Sequence, residues 1–277
     1  MRRSQDLRIF LEKNMESMNY TDTTLMIDKK PIHVGFSQEN IENILIPLMK
    51  RLTEMQREQG RRIVVFLGAP IGSGKSVTAS FLEKLSHTVP EVEQIQALGL
   101  DGFHYENAYL TTHEIEYRGQ MHNMKAVKGW PETFNAQKVY EKIVELQSKE
   151  TVLCPIYDRN IHDPVDDQLC ITAKIVIIEG LWMMYDKGPW KKIQELADYR
   201  IMLLAPFSIL RKRAVARKIR NGMTPEAALE YFNTSDCRAT IRILENMADA
   251  DLYLESTEDA TLIDLGSKKP SIEKYRP

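Results

Sequence analysis

The chain has 277 residues, of which 43% are hydrophobic and 27% are charged, as in globular proteins with a sizeable core. Its 37 Lys and Arg residues nearly balance its 39 Asp and Glu residues, giving a formal charge of −2. This balance argues against a general nucleic-acid-binding or membrane-binding surface, so any basic site must be local.

Cysteine usage and apolar runs favour a cytoplasmic protein. The three cysteines have no zinc-site spacing, which favours reduced thiols. No apolar run approaches the ~18 residues of a membrane span. The first residues carry positive charge but only a short apolar run, so we expect no secretory signal.

Residues 1–60 are expected to form an N-terminal helical extension. Ser37 can cap a helix whose apolar residues recur at helical spacing, and Pro47 should bend or divide that helix. Gly60 should end it. The apolar face could pack on the rest of the chain or form a homodimer contact.

A phosphate-binding loop is the strongest motif. An apolar strand-like run, 63–67, leads into Ala69-Pro-Ile-Gly-Ser-Gly-Lys-Ser76, and an amphipathic stretch follows. In this strand–loop–helix order, glycines let backbone N–H groups face phosphate oxygens. Lys75 would reach the terminal phosphates, and Ser76 would hold Mg²⁺. The residues expected to hold the nucleotide here are Ala69, Gly72, Ser73, Gly74, Lys75, Ser76 and Val77.

Strands and helices alternate after residue 62, which predicts an α/β fold with a mostly parallel sheet between helical layers. Strand-like runs occupy 63–67, 95–100, 174–178, 199–204, 251–254 and 261–265, and 151–156 is an extended run. Helices are expected after Asn135, over 207–220 and from Pro225. The acidic segment 163–167 is expected to be a turn.

Two carboxylates stand at predicted strand ends, where parallel sheets place their active sites. Asp101 could accept a proton from a hydroxyl that attacks a phosphate, or could merely cap the next turn. Glu179 could bind Mg²⁺ or bond to nearby backbone.

The helix 207–220 carries Arg213, Arg217 and Arg220 at helical spacing. They share a face that Ile209 and Leu210 border. This arrangement favours a lid helix that closes over phosphates, although a solubilising surface helix has similar charge.

These motifs together resemble the P-loop kinase group of uridine kinase, phosphoribulokinase and bacterial type I pantothenate kinase. The sequence looks closest to bacterial members described as fructose or other sugar kinases. The resemblance covers roughly residues 62–256 and rests on four further segments. They are Asp101-Gly-Phe-His104, Lys128-Gly-Trp-Pro-Glu-Thr-Phe-Asn135, Pro155-Ile-Tyr-Asp-Arg-Asn-Ile-His162 and Ile177-Ile-Glu-Gly-Leu181.

The resemblance implies a P-loop NTPase three-layer sandwich over 61–277 with a lid helix. It also implies ATP and Mg²⁺ as cofactors. Asp101 and Lys75 would be catalytic, Ser76 and Glu179 would bind metal, and Arg213 and Arg217 would hold ATP phosphates. The residues expected around the acceptor are His104, Lys128, Tyr157, Arg159 and His162, with Tyr105 and Trp130 nearby.

The sequence therefore predicts a kinase that phosphorylates a hydroxyl of a small metabolite, with a sugar or polyol favoured. A nucleoside or pantothenate acceptor is the alternative, since the segments around Tyr157 and Lys128 point to different relatives. A nucleotide-dependent regulatory protein is the non-enzyme alternative, motivated by residues 1–60. Neither nucleic acid nor membrane is expected as a partner.

Overall fold

The computed structural model describes residues 23–27 and 30–277. The first elements are an antiparallel hairpin, β1 (Thr23–Ile27) and β2 (Lys30–Val34), which the sequence had not predicted. Helix α1 follows as three consecutive segments: Gln38–Asn40, a π-helical turn Ile41–Leu45, and Ile46–Gln59. None of the described helices is both long and apolar enough to cross a membrane.

Ser37, Pro47 and Gly60 shape α1 as predicted. The Ser37 hydroxyl accepts the Asn40 N–H at 3.1 Å. Pro47 lacks a backbone donor, and the π-helical turn lies directly before it, so the helix is divided there. Gly60 ends the helix with a φ of 67°.

The remaining elements alternate along the chain. The helices are α2 (Lys75–Ser86), α3 (Asn107–Thr112), α4 (Ala136–Ser148), α5 (Pro189–Gln194), α6 (Phe207–Arg220), α7 (Pro225–Tyr231) and α8 (Cys237–Glu245). The strands are β3 (Ile63–Gly68), β4 (Ile95–Gly99), β5 (Glu114–Tyr117), β6 (Gln120–Asn123), β7 (Val152–Asp158), β8 (Asp163–Ile171), β9 (Ile175–Gly180), β10 (Tyr199–Leu204), β11 (Leu252–Ser256) and β12 (Leu262–Gly266).

Six strands form the central sheet in the order β12–β11–β10–β3–β9–β4. All neighbouring pairs are parallel except the antiparallel pair β11–β12 at one edge. The predicted mostly parallel α/β sheet is thus confirmed, as are the predicted helices α6 and α7.

Alternation along β3 divides the core into two layers. Ile63, Val65 and Leu67 pack with residues of α1 and α2 on one face. Val64 and Phe66 pack on the other face with residues of α4 and α8. A strand covered on both faces needs an unbroken apolar run, and all six residues of β3 are buried. Helices on both faces give the predicted three-layer sandwich.

The prediction of a turn over 163–167 is wrong. These residues begin β8, which pairs with β7 in a separate antiparallel hairpin. Tyr157 lies opposite Pro164, and Asp158 lies opposite Asp163. Pro164 is tolerated because this hairpin has only two strands, so one edge of each remains unpaired.

Helix α1 packs on the sheet, as one alternative from the sequence predicts. Its buried residues, including Leu45 and Met49, belong to the same apolar cluster as Ile63 and Ile201 of the central strands. A homodimer contact through this segment stays a prediction, as does a domain boundary near residue 60. The portion of the predicted extension before residue 23 lies outside the described residues.

Candidate active site

Three neighbouring strands bring the predicted catalytic groups to one edge of the sheet. Glu179 on β9 lies in register with Leu67 on β3 and with Gly99 on β4. The phosphate-binding loop leaves β3 just beyond Leu67, and Asp101 follows β4 by two residues. The loop and both carboxylates therefore share the carboxyl end of a parallel sheet, where ligands bind in such folds.

The loop has the backbone shape that phosphate binding requires. Gly72 and Gly74 have φ values of 88° and 100°, which disfavour residues with a Cβ. Ser73 is buried, and its hydroxyl donates to the Pro70 carbonyl at 2.8 Å. Helix α2 begins at Lys75, and Gly74 offers no side chain to cap it. The first N–H groups of α2 are thus oriented for an anion.

Asp101 is held in its ionised form by surrounding positive charge. Desolvation acts to raise the pKa of this carboxyl, but His104, Lys75, Arg159 and Arg217 outweigh it and lower the pKa. Arg159 Nη2 lies 3.6 Å from Asp101 Oδ2. The Asp101 side chain is 50% exposed, so a small molecule can reach it. An ionised, accessible carboxylate beside the loop can accept a proton.

A hydrogen-bonded network holds the β7–β8 turn beside Asp101. The His162 backbone carbonyl accepts bonds from Tyr157 Oη at 2.7 Å, Lys128 Nζ at 2.9 Å and Asn107 Nδ2 at 2.8 Å. His162 has a φ of 55°, and its side chain is exposed. The structure thus holds His162 in place through its backbone carbonyl, whereas the sequence suggested that its side chain contacts the acceptor.

Lys128 and Tyr157 meet in this network. The Lys128 ammonium lies 5.0 Å from the centre of the Tyr157 ring and also donates to Asn107 Oδ1 at 2.8 Å. Desolvation lowers the pKa of Lys128, and nearby Lys125 lowers it further. Desolvation also raises the pKa of Tyr157 to about 12, helped by Asp101 and Asp163. The Tyr157 hydroxyl therefore remains a donor at neutral pH.

His104 and Tyr105 pack in the turn after β4. The His104 ring packs on Phe134 in a tilted arrangement with centroids 3.7 Å apart, and its Nδ1 lies 2.9 Å from the Asp101 carbonyl oxygen. Desolvation lowers the pKa of His104, and the nearby Asp101 carboxylate only partly offsets this effect. Tyr105 stacks on Tyr109 at 4.4 Å. Both side chains have packing roles, and His104 also borders Asp101.

The arginines of α6 have different surroundings. Arg217 is near enough to Asp101 to lower its pKa. Arg213 donates from Nη1 to Ser256 Oγ at 2.9 Å and from Nη2 to the Thr257 carbonyl. Arg213 thereby joins α6 to the end of β11. Their roles in phosphate binding stay predictions.

Ser76 and Glu179 have the chemistry that Mg²⁺ requires. Ser76 is the second residue of α2, and Glu179 is at the adjacent strand end. A Cβ placed on Gly99 would lie 3.8 Å from Glu179 Oε1, so the absence of a side chain at Gly99 leaves room beside this oxygen. Among the described residues no group of three or more His, Cys, Asp or Glu could hold a metal. Two oxygen donors fit Mg²⁺, which keeps several waters and phosphate oxygens as ligands.

Sequence reasoning missed a large cavity next to this site. It measures 590 Å³ and is formed by the β5–β6 hairpin, the segment around Trp182 and helix α8. Trp182 is fully buried in the core and also lines this cavity. His122 lines it too. No local motif marks the cavity, because its walls come from distant parts of the chain.

Comparison with known proteins identifies the family. A sequence model of the Phosphoribulokinase / Uridine kinase family matches residues 64–262. The chain belongs to this family. The match starts within β3 and ends at the start of β12, so it contains all the site residues predicted from the sequence. Membership makes the chain a kinase of the group to which its motifs point.

Relatives and a solved structure extend this finding. The chain is 37% identical over 236 residues to the Escherichia coli K12 protein "Uncharacterized protein YggC", covering 85% of this chain and 95% of that protein. It is 30% identical over 215 residues to "Putative uridine kinase C227.14" of Schizosaccharomyces pombe, covering 75% of this chain and 88% of that protein. The crystal structure of a "putative fructose transport system kinase" from Silicibacter sp. TM1040 is similar, with a TM-score of 0.64 and 26% identity. That similarity covers 74% of this chain and 98% of that one.

Proposed function

We propose that this protein transfers the γ-phosphoryl group of ATP to a hydroxyl of a small metabolite, most simply a sugar or polyol. The observation that carries the proposal is the ionised, accessible Asp101 beside the phosphate-binding loop. Lys75, Arg159 and Arg217 surround this carboxylate with positive charge, so one site combines a proton acceptor with groups that suit a phosphoryl transfer.

The proposed reaction needs one bond to form and one to break. The acceptor hydroxyl oxygen bonds to the γ-phosphorus, and the bond between that phosphorus and the β,γ-bridging oxygen breaks, which releases ADP. The hydroxyl proton passes to Asp101. Lys75 and Arg217 stabilise the negative charge on the transferring group, and the N-terminus of α2 holds the phosphates that stay on ADP.

Ser76 and Glu179 are the residues that would hold Mg²⁺. The ion would neutralise part of the charge on the phosphates. Because α2 and β9 are packed elements of the core, both oxygens are held on rigid supports.

A nucleoside acceptor is the second candidate. The Tyr157-to-His162 spacing resembles uridine kinase, and one relative bears that name. A pantothenate-type acceptor is a further alternative, which the Lys128 segment supports. The non-enzyme alternative is a nucleotide-dependent regulatory protein. It is motivated by residues 1–60, which lie outside the kinase motifs.

The Asp101→Asn variant tests the proposed base. Asparagine preserves shape but cannot take the proton, so turnover should fall by roughly 10²- to 10⁴-fold. Binding of ATP, measured by calorimetry, should persist because the phosphate-binding loop is untouched. The Asp166→Asn variant is the control, since Asp166 is an exposed carboxylate paired with Lys138 on the surface.

A coupled ADP-release screen over sugars, polyols, nucleosides and pantothenate identifies the acceptor, with ATP alone as baseline. Stimulation by uridine or cytidine alone would favour the second candidate. Near wild-type turnover of Asp101→Asn on the true acceptor would remove Asp101 as base. Failure of every compound to stimulate ADP release would favour the regulatory alternative.

A further inference from the structure

The cavity beside the candidate active site combines aromatic side chains with charged and polar ones. Its volume of 590 Å³ is within the range of small-molecule sites. Trp182 and Tyr185 are buried, and Tyr117 and Trp130 lie edge-to-face with centroids 5.1 Å apart. Rigid rings of this kind give a ligand apolar contact area at little cost in conformational entropy.

Arg242 is fixed within this aromatic wall. Its guanidinium lies 4.7 Å from the centre of the Tyr117 ring and 5.2 Å from that of Tyr185. It also donates to Tyr185 Oη at 2.9 Å and to both carboxylate oxygens of Glu132. The Glu132 carboxylate therefore neutralises Arg242. Positive charge that could bind an anionic ligand must come from other residues.

Arg118 and Arg238 supply that charge. Both line the cavity and are exposed. Across the described part of the chain, no carboxylate forms an ion pair with either of them. Arg238 lies one helical turn before Arg242 on α8, and Arg118 is in the tight turn of the β5–β6 hairpin. Glu245 also lines the cavity, but its carboxylate is paired with Arg276 at 3.2 Å. Two positive groups from separate elements thus lie at one cavity whose lining includes four Trp and Tyr rings.

Two chain segments connect the cavity to the catalytic edge of the sheet. Lys128, which is within electrostatic reach of Asp101, is two residues from the cavity residue Trp130. Trp182 follows Glu179 by three residues, and its Nε1 donates to the Gly129 carbonyl at 2.8 Å. The two segments are therefore joined to each other, and each leads from the cavity lining to the candidate active site.

We propose that this cavity binds the non-reacting part of the acceptor, and that the acceptor carries an anionic group, a carboxylate or a phosphate. The anion binds Arg118 and Arg238, and the carbon skeleton packs on Trp130 and Tyr117. Charge-assisted bonds from two arginines position the molecule so that a hydroxyl reaches Asp101. This inference rests on the proposed kinase function and narrows its substrate class from any polyol to an anionic one.

Calorimetric titration with matched ligand pairs tests the inference. The pairs are D-gluconate with D-glucitol, and D-glucose 6-phosphate with D-glucose, each measured with the full chain in the presence of ADP. Tryptophan fluorescence provides a second readout, since two of the three tryptophans line the cavity. At least one anionic member should bind about tenfold or more tightly than its neutral partner. The two pairs distinguish a carboxylate from a phosphate.

The variants Arg238→Gln and Arg118→Gln should each weaken the anionic ligand by about 10- to 100-fold and leave the neutral one unchanged. Arg238→Lys keeps the charge and should retain part of the preference. Lys191→Gln, an exposed lysine on α5 away from the cavity, is the matched control and should change nothing. Circular dichroism checks that each variant is folded.

The inference is overturned if neutral and anionic members bind equally, if none of the four compounds binds, or if the anion preference survives in both glutamine variants. Its failure is separable from that of the kinase function. ADP release stimulated only by neutral acceptors would support the proposed phosphoryl transfer and contradict the anion site. Anion binding at Arg238 without ADP release by any acceptor would support the anion site and contradict the proposed phosphoryl transfer.

Discussion

The Arg159 guanidinium, 3.6 Å from Asp101, is one of four groups that lower the pKa of that carboxyl. Removing its charge in Arg159→Gln favours the protonated acid and should raise the pKa of Asp101. A base acts only when deprotonated, so the acid-side loss of kcat/KM should move to higher pH. Measuring the pH profile of kcat/KM in both proteins checks this shift.

The Arg159→Lys variant is the control for this shift, because it keeps the positive charge while changing the geometry. Its acid limb should stay nearer that of the wild type than the limb of Arg159→Gln does. An acid limb that is the same in all three proteins would mean that Asp101 is not the group whose ionisation limits the reaction.

Strand-end reasoning placed Asp101 and Glu179 together, because a parallel sheet brings its carboxyl ends to one edge. It could not show that the His162 carbonyl, rather than the ring, accepts the bonds from Tyr157 and Lys128. That result accompanies a left-handed backbone conformation at His162, which is uncommon for residues other than glycine and which motif spacing does not predict. Spacing locates a residue, whereas its atoms are oriented by the fold.

The phosphate-binding loop and helix α6 are in direct contact at the scale of elements. A Cβ on Gly72 would lie 2.8 Å from the Leu210 carbonyl oxygen of α6, whereas a Cβ on Gly74 would meet nothing within 4 Å. Both glycines have positive φ, so alanine strains the backbone by roughly 1–3 kcal/mol at either position. Only Gly72→Ala must also displace the loop from α6.

Comparing Gly72→Ala with Gly74→Ala isolates the contact with α6. Both variants should lose thermal stability, and Gly72→Ala should lose more of it together with a larger share of its ATP affinity. Calorimetric binding and melting curves measure the two effects. Equal losses in both variants would indicate that backbone strain alone matters and that the loop and α6 are not mechanically coupled.

Periodicity predicted the long elements well because each has one clear repeat. The apolar run of β3 and the mixed run of α6 were both located this way. The hairpins were harder. In 163–167 a proline among acidic residues is typical of a turn, yet pairing with β7 outweighs local preference. The cavity walls depend on contacts between residues far apart in the chain, which no window of sequence contains.

At the scale of the whole molecule, helix α1 is joined to the opposite end of the chain. Asn40 Nδ2 donates to the Leu262 carbonyl at 2.8 Å, and the Leu262 N–H donates to Asn40 Oδ1 at 2.7 Å. Both residues are buried. The side-chain amide thus pairs with the backbone of β12, the edge strand of the sheet. This pairing and the shared apolar cluster argue that residues 38–59 fold with the sheet as one cooperative unit.

The Asn40→Leu variant tests that argument. Leucine is similar in size but leaves the Leu262 N–H and C=O buried without their partners, which should lower the free energy of unfolding by about 2–4 kcal/mol. Glu39→Gln, an exposed neighbour on the same helix, should change it by less than about 0.5 kcal/mol. Urea unfolding followed by circular dichroism and by tryptophan fluorescence should give one coincident transition in all three proteins. Because the tryptophans are outside α1, an earlier transition seen only by circular dichroism in Asn40→Leu would reveal a helical extension that unfolds separately from the kinase core.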